Sequence, residues 1–582
     1  MKLELKIFLA ALRERRELDA ILPDLLSAMD FDVLVKPGVG VRQFGVDIAA
    51  VGVDEDEIRK MFLFVVKEGN LTRQNWDTGP TAVRQSVNEA RDFYVPNCIT
   101  AEYVGLPVVI VICVGGEIEQ AQSATVATYT RQNSTDAVSI ITWDGDRLAG
   151  LISRNMLREE LLPKADQAHF RKALAMVDTP DISVRYFRSV VDGMFAEPPT
   201  NIQSFEKAIG RLNVCLQVLF VWARDGNNLD APFQAGEYAV LRAWSAASGW
   251  TVGEVPGKRR AFTALRSLHR SVGQIFKAYV DKLSPAFEEL YALSARVRSH
   301  EYVDVNLKAF DLLGRVALTG FWLFQFLTEA ADTDVEAQEA LSNDVLAIRD
   351  SLTALLDNNP VLKAPMLDRQ AIDVVLACSF LFSQGARNVV GQWLPEMASR
   401  LVFAYRTHDK YLTYHDNYRT LLLHPAERTE KYRKDATDAS SLLPTLACWL
   451  KILGDEGTVA DFGHFAEEEL KHCNFQLWLP RANSEDFFWQ ADGKTGGATL
   501  TNLSIIADGA QPIGIVIEEV SQHDELDTIS AMRHNMPALV LTACRHFKIP
   551  VPPQFWAGLY QAADVSNSTG VPSLTENPAS SD

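Results

Sequence analysis

The first 155 residues alternate short apolar runs with amphipathic segments, a pattern typical of a domain that mixes strands and helices. Residues 17–33 place apolar side chains at three- and four-residue spacing and end in an extended run, which predicts a helix followed by a strand. Further strands are predicted at 45–52, 61–67 and 106–114, and further helices at 80–94 and 119–132. A last strand and helix over 137–153 complete the pattern, so we predict an α/β domain that occupies residues 1–155.

The pattern changes beyond residue 156, where long helical segments such as 204–223 and 305–330 are separated by polar connectors that carry Pro or Gly. This predicts a large all-α region over residues 156–485. Residues 486–564 begin with a Gly-rich and partly strand-like stretch, which predicts a smaller mixed subdomain. Residues 565–582 have the composition of a disordered tail.

The overall composition, 47% hydrophobic and 23% charged residues, is that of an ordinary soluble globular protein. Apolar runs are interrupted within about a dozen residues, fewer than the ~20 that span a bilayer, so no membrane-spanning segment is expected. The N-terminus lacks a small-residue cleavage site after its apolar patch, which predicts a mature cytoplasmic protein. The seven cysteines have no CxxC spacing, and we expect buried, reduced thiols.

Asp47 and Lys67 end two neighbouring predicted strands, in the runs GVD and FVVK. Metal-dependent phosphodiester hydrolysis needs carboxylates that hold Mg²⁺ and a cation that orients water and stabilises charge. Paired strands can supply both, as an Asp on one strand and an acid-x-Lys element on the next, because alternate residues of a strand face the same side. The two residues are therefore candidates for such a site.

The order of elements around this pair resembles the PD-(D/E)XK nuclease superfamily, most closely its Mrr-like restriction endonuclease branch. The resemblance covers roughly residues 10–155: a helix with an acid in LDAILPDLLSAMDFDV, then GVRQFGVDI, the strand ending FVVK, the run PVVIVICVGGEIEQAQSATVATYT, and ITWDGDRLAGLI. It implies a mixed sheet flanked by helices and Mg²⁺- or Mn²⁺-dependent DNA cleavage. By position it implies that Asp47 is the principal metal ligand, Lys67 the catalytic lysine, Asp19 a helix acid that completes the metal site, and Gln43 a polar residue that lines it.

The chain departs from the family pattern at Val65, which stands where the acid of the acid-x-Lys element is expected. Mg²⁺ keeps several waters and can use one or two carboxylates with substrate oxygens, and the family implies that the Val66 carbonyl can also serve. Glu68 is expected to point to the opposite face of the strand. The alternative for Asp47 is a strand-end ion pair, and for Lys67 a charge that protects the sheet from edge-to-edge aggregation.

Basic residues near the pair are candidates for DNA contacts, although a net charge of −19 opposes a large nucleic-acid footprint. Such a charge still allows one local basic cleft. The long loop after Lys67 carries Arg73, Trp76 and Arg84, which suit phosphate contact and base stacking, and Arg42 precedes Asp47. The alternative for Trp76 is a side chain packed on its own domain.

Two weaker motifs lie in the predicted helical region. His464, Glu468 and His472 have the spacing of one helical face, which a divalent metal could use, although acidic helices commonly show it by chance. Arg419 and His424 have an R-x4-H spacing that resembles the short motif of HEPN ribonucleases, which cleave RNA without a metal. The alternative there is a helix-end histidine and a solvated arginine.

Together these observations predict a metal-dependent DNA endonuclease whose helical region acts as a sensor, an oligomerisation element or a partner platform. A nuclease joined to a large unrelated module resembles restriction and phage-defence effectors, an analogy at the level of architecture. One alternative is a catalytically decayed nuclease fold that serves as the binding or scaffold subunit of a defence complex. A further alternative is a HEPN-like ribonuclease.

Overall fold

A computed structural model describes most of the chain. The described residues are 9–10, 18–35, 44–53, 56–78, 82–155, 164–251, 256–297, 299, 301–330, 335–490, 496–506, 510–523 and 525–560. The chain divides into two compact units, one formed by Met1–Tyr279 with Ala330–Glu339 and the other by Val280–Glu329 with Ala340–Asp582.

A five-stranded mixed sheet forms the N-terminal part of the first unit. Its strands are β1 (Asp32–Val35), β2 (Ile48–Val53), β3 (Arg59–Lys67), β4 (Val108–Val114) and β5 (Val138–Trp143), and they lie in chain order across the sheet. The pairs β1/β2 and β2/β3 are antiparallel, whereas β3/β4 and β4/β5 are parallel. Crossover segments with helices join β3 to β4 and β4 to β5, as parallel pairing requires.

Helices accompany this sheet along the chain. They are α1 (Asp19–Ala28), α2 (Arg73–Asp77), α3 (Val83–Glu89) with a π-helical continuation over Ala90–Tyr94, α4 (Val95–Asn97), α5 (Gln120–Asn133) and α6 (Gly145–Asn155). Met61, Leu63 and Val65 of β3 are buried in one apolar core with residues of β4 and α3. The alternate residues Phe62 and Phe64 contact Phe31 and Trp143, with ring centroids 4.9 and 5.2 Å apart. The central strand is therefore covered on both faces, which explains its nearly continuous apolar sequence.

The first unit continues with helices. They are α7 (Lys164–Ala175), α8 (Pro180–Met194), α9 (Ile202–Asp225), α10 (Asp230–Ala246), α11 (Ser248–Thr251) and α12 (Lys258–Leu283), the last of which runs into the second unit. Two side chains of α9 contact α1 and the turn that follows it: Asn213 Nδ2 donates to Asp24 Oδ2 at 2.7 Å, and Lys207 pairs with Asp30 at 3.0 Å. The sheet and these helices thus belong to one compact body.

The second unit is also mainly helical. Its helices are α13 (Ala292–Val297), α14 (Tyr302–Glu329), α15 (Val335–Asn358), α16 (Ala371–Ser383), α17 (Arg387–Thr407), α18 (Tyr418–Leu423), α19 (Glu430–Ala436), α20 (Leu442–Leu453), α21 (Glu456–Glu469), α22 (Glu485–Gln490), α23 (Ala510–Gln522), α24 (Ser530–Arg533) and α25 (Pro537–Phe547). Two small sheets pair β6 (Ala439–Ser440) with β7 (Asn474–Phe475) and β8 (Leu477–Leu479) with β9 (Ala498–Leu500).

One helix within the described ranges, α14, is long and apolar enough to cross a membrane by length and composition alone. Of its most apolar window, 72% is buried inside the protein. The core helix of a soluble protein has the same properties, so this helix is compatible with a soluble chain.

The coarse fold prediction, a mixed α/β sheet domain followed by a large helical region, is confirmed. The stretch after residue 486 that was predicted to be partly strand-like contains the strand β9, and its later part, Ala510–Gln522, forms a helix. Its β-branched residues adopt the helix because Ile513 and Val516 lie on a buried side, so packing overrides local propensity. All seven cysteines are unpaired, and five of them are buried. The domain bounds drawn at residues 155, 485 and 564 stay predictions.

Candidate active site at the end of the central strands

The segment before β2 fixes the position of Asp47. The ring of Phe44 stacks on Phe93 with centroids 4.2 Å apart, and Val46 is buried in the core. Gly45 has a φ of +78°, and a methyl group there would lie 2.2 Å from the Ser86 carbonyl oxygen, so the segment requires a glycine at this point. Contacts with the helical layer thus hold the residues that lead to Asp47.

Two hydrogen bonds join Asp47 to β3. Its backbone N–H donates to the Phe64 carbonyl at 2.9 Å, and its Oδ2 accepts from the Val66 backbone N–H at 2.7 Å. The carboxylate therefore lies at the middle residue of the Val65-Val66-Lys67 element. Because the N–H and C=O of one strand residue face the same neighbouring strand, the Val66 carbonyl is directed toward the side on which Asp47 lies.

Lys67 ends β3 and is held through its backbone. Its carbonyl accepts from Gly115 N–H at 3.2 Å, and the next turn is bonded to the end of β4, where Gly116 N–H donates to the Gly69 carbonyl at 2.8 Å. Gly69 has a φ of +59°, the left-handed conformation that glycine adopts without steric cost. The side chain of Lys67 is only partly exposed. The structure thus brings Asp47 and Lys67 to adjacent strands at the same end of the sheet.

Backbone fills the ends of the next two strands. A methyl group on Gly115 would lie 2.4 Å from the Leu9 carbonyl oxygen, and one on Gly145 would lie 2.5 Å from the Gly115 oxygen. The carboxyl ends of parallel strands commonly bind ligands, but here the close approach of backbone leaves no room for a side chain at Gly115 or Gly145. The edge formed by β2 and β3 is therefore the candidate site.

The start of α1 also lies near this end of the sheet. The Leu18 side chain lies 3.5 Å from the position that a methyl group on Gly115 would take. Asp19 follows directly and is the first residue of the helix, but its side chain lies outside the described part of the structure, as do Arg42 and Gln43 in full. The first turn of the helix thus lies near the end of β4, and the roles of these three residues stay predictions.

Val65 belongs to the apolar core rather than to the polar edge. Its side chain is 3% exposed and packs in the cluster that includes Leu63 and Ile112. Cys113, in register with Val66 on β4, is fully buried, which raises the pKa of its thiol, and the nearby charge of Asp47 raises it further. The surroundings of the Asp47 carboxylate are therefore strongly apolar on the inner side.

The oxygen donors at this edge fit a hard divalent cation. Among the residues that the structure describes, no group of three or more His, Cys, Asp and Glu side chains is arranged to hold a metal. The edge offers the Asp47 carboxylate and the Val66 carbonyl. Mg²⁺ is commonly bound by one or two carboxylates with water and phosphate oxygens, so this oxygen-only set suits Mg²⁺ or Mn²⁺ better than Zn²⁺.

The loop after Lys67 divides into core and surface residues. Trp76 is 0% exposed and packs edge to face on Tyr129 with centroids 5.3 Å apart, so its ring is not offered to a base. Base stacking by Trp76 is therefore wrong for this structure, and the alternative of a residue packed on its own domain holds. Arg73 is exposed, and Arg84 is exposed and pairs with Asp77 at 2.9 Å.

The two motifs of the helical region do not form open sites. His424 is 1% exposed, its Nδ1 lies 2.9 Å from the Tyr432 hydroxyl, and its Nε2 lies 3.0 Å from the Tyr411 carbonyl oxygen, so both ring nitrogens are engaged. Burial lowers the pKa of His424 to about 4. A base for RNA cleavage needs a nitrogen that reaches the substrate, which this arrangement does not present.

The predicted metal-binding face of three residues is not formed. Helix α21 ends at Glu469, so His472 lies beyond the helix that carries His464 and Glu468. The Nε2 of His472 lies 2.8 Å from the Thr437 hydroxyl oxygen. The prediction placed His472 on the same helix because the i,i+4 spacing of residues alone does not show where a helix ends.

One residue of the candidate edge was missed from the sequence. Asn70, three residues after Lys67, accepts a hydrogen bond from Glu117 N–H at 2.8 Å and so connects the ends of β3 and β4. The available signal was an asparagine after a glycine directly behind a strand, a common turn composition.

Comparison of the chain with family models, with curated proteins and with solved structures finds no match.

Proposed function

We propose that the chain is a metal-dependent DNA endonuclease of the PD-(D/E)XK type, with its active edge at Asp47, Val66 and Lys67. The observation that carries the proposal is the 2.7 Å hydrogen bond from Val66 N–H to Asp47 Oδ2. It places a carboxylate beside the middle residue of the x-x-Lys element, where the family resemblance implies the metal site.

The topology of the sheet supports the proposal. The antiparallel pair β2/β3 carries Asp47 and Lys67, the parallel strands β4 and β5 follow, and α1 begins near the same end of the sheet. The resemblance implies a series of this kind, and the order of the strands therefore supports the proposal. Fold alone does not establish chemistry, so the argument depends on the side chains at the edge.

The residues at the edge divide the chemistry between them. Asp47 and the Val66 carbonyl would hold Mg²⁺ or Mn²⁺, and Asp19 is positioned along the chain to add a second carboxylate. A bound Mg²⁺ would lower the pKa of a water ligand and neutralise charge on the scissile phosphate. The ammonium group of Lys67 orients the attacking water and stabilises negative charge that develops on the phosphate oxygens. Arg73 and Arg84 offer exposed cations for the neighbouring phosphates.

The rest of the chain then has a regulatory or partner-binding role. A nuclease edge of this kind occupies the start of a long helical protein, as in restriction and phage-defence effectors, and we assign the helices to sensing, self-association or partner binding by analogy with that architecture. Such an effector acts on DNA in the cytoplasm.

A second candidate function is a binding or scaffold subunit that retains the nuclease fold without cleavage. The observation that favours it is the burial of Val65 in an apolar cluster, since this position supplies no carboxylate to a metal. The two functions share a fold and differ in whether the edge binds a divalent cation.

A plasmid assay separates the two functions. The full chain and Lys67→Ala are incubated with supercoiled plasmid in Mg²⁺, Mn²⁺, Ca²⁺ or EDTA. The nuclease predicts nicked and linear products only with the wild type in Mg²⁺ or Mn²⁺, because Lys67 stabilises charge that the metal does not reach. If the wild type leaves the plasmid intact under all four conditions, the nuclease proposal is wrong and the scaffold function takes its place.

A further inference from the structure

The turn that follows Lys67 holds Asn70 in a single orientation. Glu117 N–H donates to Asn70 Oδ1 at 2.8 Å, and the Asn70 carbonyl accepts from Asn75 Nδ2 at 3.0 Å. Since a backbone N–H needs an acceptor, the oxygen of the amide must face Glu117. The amide nitrogen is therefore directed away from the protein backbone.

This nitrogen is a donor without a protein acceptor. Asn70 is exposed, and its Nδ2 makes no hydrogen bond with any residue in the described ranges. Arg73 lies three residues further, is exposed, and forms no ion pair within those same ranges. A fixed amide donor and a free guanidinium thus follow Lys67 along the same end of the sheet.

We propose that the Asn70 amide nitrogen donates a hydrogen bond to a phosphate oxygen of bound DNA, with Arg73 on the adjacent phosphate. This contact rests on the proposed nuclease function, because it places the backbone of the DNA substrate beside the turn that follows Lys67. Half or more of the hydrogen bonds between proteins and DNA go to phosphate and sugar, and side-chain amides commonly supply them.

The local charge explains why a neutral donor suits this position. Glu68 and Glu117 are exposed on either side of Asn70 along the two strand ends. A lysine or arginine here would pair with these carboxylates instead of a phosphate. Phosphate approach past two acids also requires a divalent cation at the edge, so DNA binding is measured with Ca²⁺, which replaces Mg²⁺ without supporting cleavage.

Asn70→Asp separates a DNA contact from a purely structural role. The aspartate keeps an oxygen that accepts from Glu117 N–H, so the turn is retained, but it replaces the donor by a second oxygen that repels phosphate. We expect an unchanged melting temperature and affinity for a fluorescein-labelled duplex, measured by anisotropy in Ca²⁺, that falls by about ten-fold or more. Asn388→Asp makes the same charge change at another exposed asparagine and should bind as the wild type does.

The salt dependence gives a second, independent readout. Arg73→Ala should reduce the slope of log affinity against log salt by about one, because one phosphate contact of a cation is lost. Asn70→Ala should weaken binding and leave this slope unchanged, since the lost donor is neutral. An unchanged affinity in both Asn70 variants would overturn the contact.

The outcomes distinguish this inference from the proposed function. If the wild type cleaves plasmid and Asn70→Asp binds DNA as tightly as the wild type, the contact is wrong and the nuclease stands. If the wild type does not cleave plasmid but binds DNA more tightly than Asn70→Asp does, the edge binds DNA without cutting it. A wild type that fails to bind DNA in Ca²⁺ overturns both.

Discussion

At the scale of single residues, Asp47 has two separable roles. Its carboxylate completes the hydrogen bonding of β3 at Val66 N–H, which is a structural role, and it is the proposed metal ligand. A strand-end aspartate that bonds to the next strand would be retained for stability alone in the scaffold alternative. Substitutions of Asp47 that remove its charge, with or without its hydrogen-bond acceptor, therefore distinguish the structural role from metal binding.

Asp47→Ala should destabilise the protein, whereas Asp47→Asn should not. Alanine leaves Val66 N–H without its acceptor, which costs about 1–3 kcal/mol of unfolding free energy, while the asparagine oxygen can still accept. Urea unfolding measures both variants. Equal stability of Asp47→Ala and the wild type would show that the Val66 bond does not hold the strand end.

Val65→Glu tests whether the edge holds a divalent cation. The glutamate would be buried among Leu63 and Ile112 unless it turns toward the edge, so without metal the melting temperature should fall. With Mg²⁺ the proposed site predicts a rise in melting temperature for the wild type and a larger rise for the variant, since the new carboxylate adds a ligand. Thermal melts with and without Mg²⁺ measure this, and no Mg²⁺-dependent rise in either protein would contradict a metal site.

His424 should make stability depend on acid. Its folded pKa of about 4 lies below the ordinary value of 6.5, so the unfolded chain binds the proton first as the pH falls. The neutral His424 therefore contributes up to about 3 kcal/mol to the free energy of unfolding. This contribution is fully present above pH 6.5 and is lost as the pH falls toward 4.

His424→Gln should accordingly lose less unfolding free energy than the wild type between these two pH values, as measured by urea unfolding at each pH. His464→Gln replaces an exposed imidazole and serves as the control. Identical pH profiles for His424→Gln and the wild type would mean that the imidazole is not buried as described.

At the scale of elements, the turn between β3 and α2 joins the candidate edge to the end of β4. A methyl group on Gly116 would lie 2.2 Å from Asn70 Oδ1 and 2.8 Å from the carbonyl atoms of Gly69. The Asn70 side chain could move aside, but the Gly69 carbonyl atoms belong to the backbone, so the backbone of the turn would have to shift. The turn and Lys67 are adjacent along the chain, and the shift would reach the edge.

Gly116→Ala should therefore lower the unfolding free energy by about 1–3 kcal/mol and reduce DNA cleavage. Gly150→Ala is the matched control, because it lies in α6 and its nearest neighbour would be the flexible end of Arg154 at 3.5 Å. This control should keep activity and gain up to about 1 kcal/mol of helix stability. Urea unfolding and plasmid cleavage measure both variants, and equal results would refute the close packing at Gly116.

The elements of the sheet could be predicted because their sequence patterns are strong. The runs that form β2, β3 and β4 are apolar and β-rich, and the glycine and proline positions separate them from the helices. The placement of Asp47 and Lys67 at the same end of adjacent strands also followed from the sequence order. The parts that failed depend on packing: burial of Trp76 and the end of α21 before His472 are decided by tertiary contacts that a local pattern does not contain.

The hydrogen bonds of the candidate site could not be predicted from the sequence either. Asp47 accepts from Val66, and Asn70 from Glu117, across strand ends that are far apart along the chain. Their geometry depends on the register of three strands and on close approach at Gly116. Residue types and spacing identified the candidates at the edge, but the orientation of Asn70 required the structure.

At the scale of the whole molecule, the sheet and the helices that follow it share one compact unit. Asn213 is fully buried and donates to Asp24, while the sequence pattern had placed a boundary between sheet and helices at residue 155. The change in secondary structure at that point is thus not a break in packing. These helices contact α1, which begins near the candidate edge.

The central claim is that this edge cleaves DNA with a divalent cation held by Asp47. The most direct measurement is the rate of plasmid cleavage in Mg²⁺ by the wild type, by Asp47→Asn and by the control Asp136→Asn, which alters an exposed aspartate of the same sheet domain. The account predicts equal rates for the wild type and Asp136→Asn, and a loss of at least about a hundred-fold in Asp47→Asn at unchanged stability. Cleavage by Asp47→Asn at the wild-type rate, or no cleavage by any of the three proteins, would contradict it.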